Sequence, residues 1–353
     1  MTIETLYNQW QALQPLDEKL ERNINQQFMI DFNYNSNHLE GNTLTYGQTK
    51  LLLLFGDTIG NASMQDYEEM KAHNVGLEMM KAEAKDKSRM LSERFIRELN
   101  QTILVRDYYK TSSDGDYRYK INVGVYKTRP NSVITPAGEL FDYASPEETP
   151  SLMGDLVAWH NAVETGHVPS LHPIELAALF HYRYIRIHPF EDGNGRIARL
   201  LVNYILLRHN YPMLVIRSDD RNNYLKALRQ CDSLTGKITS DGAYATLQQT
   251  KPLVDYLSAV LENKLTALIQ LAKGEIPEFV EAKGDEKSGQ KNDDVKYLII
   301  EQLKYRPNYT VLQLAQSLNK SKSTIERHLR ELQKTGKIHR EGSDKTGYWK
   351  VTQ

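Results

Sequence analysis

A single cysteine, Cys231, among 353 residues leaves neither an internal disulfide nor a cysteine-based zinc site open to this chain. Long apolar runs are missing too. The greasiest stretch, Leu51 to Phe55, falls far short of the ~18 residues that a membrane span needs. The N-terminal Met1-Thr2-Ile3-Glu4 lacks a basic start followed by an apolar run, so no signal peptide is expected. No internal repeat is visible. These absences point to a soluble cytoplasmic protein with no membrane partner.

What is present fits that expectation. The chain is 40% hydrophobic and 25% charged, the balance of a globular protein, and its length suits two or three domains. The net charge of −1 hides an asymmetry: residues 291–353 hold 13 Lys plus Arg against 7 Asp plus Glu. A basic terminal module on an acidic body implies a polyanionic partner for that module.

The pattern along the chain is mostly helical. Leu20, Ile24 and Phe28 recur every four residues, a buried helical stripe. Gln48 to Phe55 reads as a helix ended by Gly56, and 63–85 and 91–105 as further helices. Tyr117, Tyr119, Ile121, Val123 and Val125 then alternate as in a strand, with Pro130 and Pro136 limiting the sheet, so a β-hairpin flap is expected among helices. Helices resume near Ser151, at Pro173, and over 198–209, 219–230 and 251–272. Gly274 to Gly289 reads as a linker. Val295–Tyr305, Thr310–Leu318 and Ser321–Lys334 read as three helices, followed by a hairpin, the plan of a winged helix-turn-helix. The expected division is therefore 1–90, an N-terminal helical region; 91–273, a catalytic core; 274–290, a linker; and 291–353, the winged helix.

Residues 188–199 read His-Pro-Phe-Glu-Asp-Gly-Asn-Gly-Arg-Ile-Ala-Arg. Gly193 and Gly195 allow a tight turn and close approach to a ligand. A Gly-rich turn feeding a helix N-terminus is a phosphate cradle, because the first N–H groups of a helix have no intrahelical acceptor. Arg196 and Arg199, three apart, suit phosphate oxygens. Asp192 is a carboxylate beside the cradle, suited to a Mg²⁺ that keeps most of its waters. His188 is the nearby group able to take a proton near neutral pH. A purely structural turn, or a Ca²⁺ loop, is the competing reading, but arginines stand where an EF-hand needs its later oxygen ligands.

This segment resembles the signature of the Fic family, His-x-Phe-x-Asp/Glu-Gly-Asn-Gly-Arg-x-x-Arg, at every fixed position, and the likeness extends over roughly residues 90–265. The resemblance implies a mostly α fold, a Fic-type helical bundle with a β-hairpin flap, here with a small C-terminal winged-helix domain. It implies transfer of AMP from ATP to Ser, Thr or Tyr hydroxyls of a protein. His188 would be the general base, Phe190 the loop anchor and Asp192 the Mg²⁺ ligand. Asn194, with the N–H groups of Gly193 and Gly195, would hold the α- and β-phosphates. Arg196 would support them and Arg199 would hold the γ-phosphate. The strand around Ile121 to Val125 would dock the target. Tyr224, in Arg221-Asn222-Asn223-Tyr224, either stacks on adenine or is a core aromatic.

Ser36-Asn37-His38-Leu39-Glu40-Gly41 resembles the family's inhibitory motif, Ser/Thr-x-x-x-Glu-Gly/Asn. By resemblance, Glu40 pairs with Arg199 and keeps it from the γ-phosphate, with Ser36 on the same helix face. Some relatives use that glutamate to remove AMP, so de-AMPylation stays open, as do self-modification and a homodimer. In the terminal module, Lys320, Lys322, Ser323, Thr324, Arg327, His328 and Arg330, with wing residues Lys337, Arg340 and Lys345, suit DNA phosphates; protein docking is the alternative. An alternative for the whole chain is a DNA-binding regulator that uses its Fic core as a nucleotide sensor.

Overall fold

The computed structural model describes residues 2–58, 62–112, 115–134, 140–275, 295–296, 299–300, 302–303, 307–318, 320–342 and 347–352. They form two compact units. One comprises residues 1–44 and 62–282, the other 45–61 and 283–353.

The larger unit is a bundle of helices: α1 (Ile3–Gln11), α2 (Glu18–His38), α4 (Met64–Lys85), α5 (Glu93–Leu104), α6 (Thr149–Glu164), α7 (Pro173–Ile187), α8 (Asn194–Arg208), α9 (Arg221–Thr235), the short α10 (Thr239–Gly242) and α11 (Lys251–Ala272). Helix α8 lies at its centre. From Arg196 to Leu206 every side chain is buried, including Arg199 and Asn203, so this helix has no solvent face. It packs on α7, α4, α5 and α2. Helix α7 begins where its sequence says it should: Pro173 takes the first turn, and His172 and Glu175 form a capping box. It ends at His188, whose backbone is left-handed at φ 50°, an uncommon conformation for a residue with a Cβ.

Among the described residues of this unit, the β structure is two short antiparallel hairpins. Strand β1 (Tyr108–Thr111) pairs with β2 (Arg118–Ile121), with Tyr108 opposite Ile121. Strand β3 (Ser132–Ile134) pairs with β4 (Leu140–Asp142). The expected alternating run thus ends as strand at Ile121, the one fully buried residue of β2. Val123 and Gly124 lie in a turn rather than in a docking strand.

The smaller unit contains α3 (Tyr46–Phe55), α12 (Val311–Ser317), α13 (Lys322–Lys334) and the hairpin β5 (Ile338–Glu341) with β6 (Tyr348–Val351). Its core joins Leu51 to Val295, Ile299, Leu303, Leu314, Ile325, Leu329, Leu332, Ile338 and Trp349. The sequence division placed 45–61 with the N-terminal region; here that segment belongs with the winged helix, because an apolar Leu-Leu-Leu-Leu-Phe helix needs a partner surface and a winged helix of about 60 residues is short of core. The expected linker lies, apart from residues 274–275, outside the described residues, as do Lys345 and parts of the Val295–Tyr305 helix. His328, grouped above with the DNA-facing residues, is 1% exposed and part of the interior, whereas Lys322, Arg327 and Arg330 are exposed.

Leu51→Ala should therefore weaken the smaller unit by about 2–5 kcal/mol, the usual cost of truncating a buried leucine. Limited proteolysis of the full chain reads this as faster cleavage within 291–353 at unchanged stability of the bundle. Equal cleavage rates for both proteins would remove α3 from that core.

Candidate active site

The loop between α7 and α8 is held by its carbonyls. Ile187 O accepts from Lys127 Nζ at 2.9 Å and Pro189 O from Lys127 N at 2.8 Å. Phe190 O accepts from Asn131 at 2.8 Å and from Asn194 Nδ2 at 2.7 Å, and Asp192 O from Asn100 at 2.9 Å. The first amides of α8, like those of any helix, have no intrahelical acceptor. Phe190 is buried beneath the loop as its anchor. Gly193 has φ 82°, and a Cβ there would meet Asn100 at 3.1 Å, which explains the residue.

The Asn194 amide oxygen accepts from Phe190 N at 3.0 Å while its nitrogen donates to Phe190 O, and the side chain is 2% exposed, so it fixes the loop's shape. Arg196 lies 4% exposed between Glu69 (3.5 Å) and Asp192 (3.6 Å), and its Nε and Nη1 have no hydrogen-bond acceptor. A buried guanidinium with unsatisfied donors is the chemistry of an anion site.

Arg199 is held by the α2 segment of the larger unit through three hydrogen bonds. Its Nε donates to Ser36 Oγ at 3.0 Å, and its Nη2 donates to Ser36 O at 2.8 Å and to Glu40 Oε1 at 2.7 Å. The arginine side chain is 4% exposed and that of Glu40 40%. Burial would raise the Glu40 pKa, but Arg199 and Arg196 outweigh it and hold the carboxyl below its usual range. Helix α2 itself ends at His38, and Glu40 sits in the closing turn before Gly41, whose φ is 97°. A Cβ on Gly195 would come within 2.2 Å of Glu40 Oε1. The Glu40 carboxylate therefore lies directly against Gly195.

What keeps α2 in place escaped the sequence reading. Asn33, Asn35, Ser36 and Asn37 are all at most 1% exposed. Asn33 bonds His73 Nδ1 at 2.7 Å and Asn74 at 2.8 Å, Asn35 accepts from Ser218 N at 2.8 Å, and Asn42 donates to Asp66 O at 3.0 Å. A polar run such as Asn-Tyr-Asn-Ser-Asn-His carries no periodic apolar stripe, so nothing in it announces burial.

His188 is enclosed as well. The ring stacks on Tyr143 at 3.9 Å between centroids and 14° between planes, and its Nδ1 is buried. Burial, reinforced by the Lys127 ammonium, pushes its pKa down to about 4; burial likewise lowers Lys127 to about 8. The imidazole is thus neutral at neutral pH and able to accept a proton. Two residues earlier, Arg186 is 1% exposed and donates to Tyr182 OH (2.8 Å), Gly236 O (3.0 Å) and Ile238 O (2.7 Å), tying the end of α7 to the segment after α9. Neither Lys127, Tyr143 nor Arg186 belongs to a motif; only the fold brings them here.

Asp192 fits a divalent cation in part. Its Oδ1 accepts from Gly193 N at 2.6 Å, while its Oδ2 takes Tyr108 OH and the Lys110 ammonium. The outer oxygen already pairs with a cation, the Lys110 ammonium. Among the described residues no group of three or more His, Cys, Asp or Glu could hold a metal. A Mg²⁺ here would have one protein carboxylate, with water and substrate oxygens completing the shell, an arrangement typical of that ion. Tyr224 is placed as a core aromatic: it is 4% exposed, and its hydroxyl bonds His181 Nε2 at 2.9 Å. No helix among the described residues is long and apolar enough to cross a membrane.

Comparison with known proteins agrees with this geometry. A Fic/DOC family profile matches residues 90–206, and a winged helix-turn-helix DNA-binding profile matches 292–339. A Fic-domain-containing signaling protein from Bacteroides thetaiotaomicron is similar in structure, with a TM-score of 0.73 and 60% identity over 80% of this chain and 99% of that one. Protein adenylyltransferase Fic of Nematostella vectensis is 30% identical over 202 residues, 56% of this chain and 42% of that protein. Protein adenylyltransferase fic-1 of Caenorhabditis briggsae is 26% identical over 77% of this chain and 47% of its own length. The chain thus spans less than half the length of these curated relatives. With its signature loop, its helical bundle and a neighbour matched over nearly its whole length, the chain belongs to the Fic family and carries a C-terminal winged helix-turn-helix.

Proposed function

We propose that this protein transfers AMP from ATP to Ser, Thr or Tyr hydroxyls of a protein target, and that Ser36 and Glu40 hold the activity off. The observation that carries this reading is the three-bond capture of Arg199 beside an otherwise intact cradle. His188 accepts the proton of the attacking hydroxyl. The hydroxyl oxygen then bonds the α-phosphate, and pyrophosphate leaves. The amides at the start of α8 and Arg196 bind phosphate oxygens. Asp192 would hold a Mg²⁺, which would supply positive charge against the polyphosphate. Arg199, once released, fixes the γ-phosphate and so turns the α-phosphate in line with the nucleophile.

The capture has a preferred way to break. Arg199 is buried and Glu40 half-exposed, so the carboxylate moves rather than the guanidinium. Glu40→Gly removes a charge-assisted bond worth about 1.5–3 kcal/mol, and should raise transfer from α-labelled ATP, to itself or to lysate proteins, on the order of ten- to a hundredfold. Ser36→Ala deletes one direct bond to Arg199 of about 1 kcal/mol and should raise it roughly fivefold. Ser36 Oγ bonds Arg199 Nε directly, so its loss acts on the guanidinium itself. Glu40→Gly with Arg199→Ala should lose the gain, and His188→Ala should abolish transfer while retaining nucleotide binding. A Glu40→Gly protein no more active than wild type would favour a nucleotide sensor over an enzyme.

The depressed His188 pKa fixes a pH dependence. A base whose pKa lies near 4 stays neutral, and competent, above that value. For Glu40→Gly, kcat/KM should hold its plateau from pH 7 down to about 5, since that ratio reports the free enzyme. An acid limb with a midpoint between 6 and 7 would mean that His188 titrates as an ordinary histidine.

The winged-helix profile supports a second activity, DNA binding. We infer that α13 meets phosphates through Lys322 and Arg330, whose side chains are 60% and 74% exposed. Binding of the full chain to duplex DNA should weaken steeply with salt. Lys322→Glu with Arg330→Glu should flatten the log–log salt slope by about 2, following the rule of ~0.9 per phosphate. Absence of binding at low salt would point to a protein partner for this unit.

A further inference from the structure

The Lys110 ammonium pairs with the outer oxygen of Asp192. Lys110 and Tyr108 stand two apart on β1 and so share one face of the strand. That face is turned to the cradle: Tyr108 OH and Lys110 Nζ both donate to Asp192 Oδ2. The hairpin that presents them is fixed at its base. Asp107 accepts from Val123 N at 3.0 Å and pairs with Lys120 at 2.7 Å, and Ile121 is 1% exposed. The second oxygen is taken by Gly193 N at 2.6 Å, with Arg196 at 3.6 Å. Both lone-pair faces of the carboxylate are therefore in use, and the Lys110 contact is the one that faces outward, on a side chain 42% exposed.

From this geometry we propose that Lys110 is a resident counter-cation of Asp192, which a divalent ion must displace before the metal–nucleotide complex can seat. The proposal rests on the reading of Asp192 as the metal ligand. A divalent ion and an ammonium cannot share one carboxylate oxygen at contact distance, since two like charges a few ångström apart repel. The flexible four-carbon stem lets the ammonium leave without moving the strand, and Tyr108 can stay, because a neutral hydroxyl does not oppose a cation. Lys110 is thus a positioning residue: it keeps Asp192 charged, oriented and closed while metal is scarce, and it sets the Mg²⁺ concentration at which the site fills.

The test is calorimetric titration of Mg²⁺ into the full-length protein saturated with ADP, which needs no turnover and no γ-phosphate contact. Lys110→Met keeps the apolar stem and removes the charge, and its Mg²⁺ midpoint should fall about two- to fivefold, as loss of a half-exposed ion pair implies. Lys110→Arg restores a cation and should return the midpoint towards wild type. Asp192→Asn should abolish the Mg²⁺-dependent heat. If Asp192→Asn loses that heat but Lys110→Met leaves the midpoint unchanged or raises it, Lys110 does not compete with metal and the proposal falls alone. If Asp192→Asn keeps the wild-type Mg²⁺ dependence, the metal reading of Asp192 falls and takes the proposal with it.

Discussion

The site is organised around one buried guanidinium. Arg199 sits on a helix with no solvent face, and its charge must be met by something at all times. In the structure α2 meets it, through one carboxylate, one hydroxyl and one backbone carbonyl. In the proposed active state a γ-phosphate does so instead. The two partners compete for the same donors, and Glu40 lies close enough to Gly195 that its carboxylate also takes space at the cradle. Inhibition on this account needs no second conformation of the loop. It needs only an internal anion where a substrate anion would go.

That constraint explains the polar lining of α2. The Glu40–Arg199 contact holds only if the α2 segment is registered to within about an ångström, and buried amides register a helix more sharply than apolar packing does, because each has fixed donor and acceptor directions. Asn33, Asn35 and Asn42 reach α4, the loop at Ser218 and Asp66 respectively. His73 takes part while buried, and burial, with Arg196 and Arg199 nearby, holds its pKa well below the ordinary value, so the ring adds no further cation next to them.

Much of this was legible in the sequence, and the boundary has a physical cause. The loop from His188 to Arg199 could be read because turn, helix start and charges are contiguous, so local chemistry fixes local shape. The Ser36–Glu40 spacing was legible for the same reason. Lys110, Lys127 and Tyr143 were not, since each reaches the loop across 45 or more residues of chain, and a lone Lys or Tyr carries no signal. The motif marks Asn194 but not the bonds its side chain makes to Phe190, which close the turn; a motif records which residue is needed, not which of its atoms. For α3, the apolar run was seen as a helix, but a helix's partner is a tertiary fact, and Leu51 packs with Ile299 and Leu303, some 250 residues away.

The central claim is that Glu40 denies Arg199 to the γ-phosphate, and it can be measured without any transfer reaction. ATP and ADP differ by that phosphate alone, so the ratio of their dissociation constants reports whether Arg199 is available. Calorimetry on the wild-type protein should give nearly equal affinities for the two nucleotides. Glu40→Gly should prefer ATP by about tenfold, the worth of one charge-assisted contact. A wild-type protein that already favours ATP over ADP as strongly as Glu40→Gly would contradict the account.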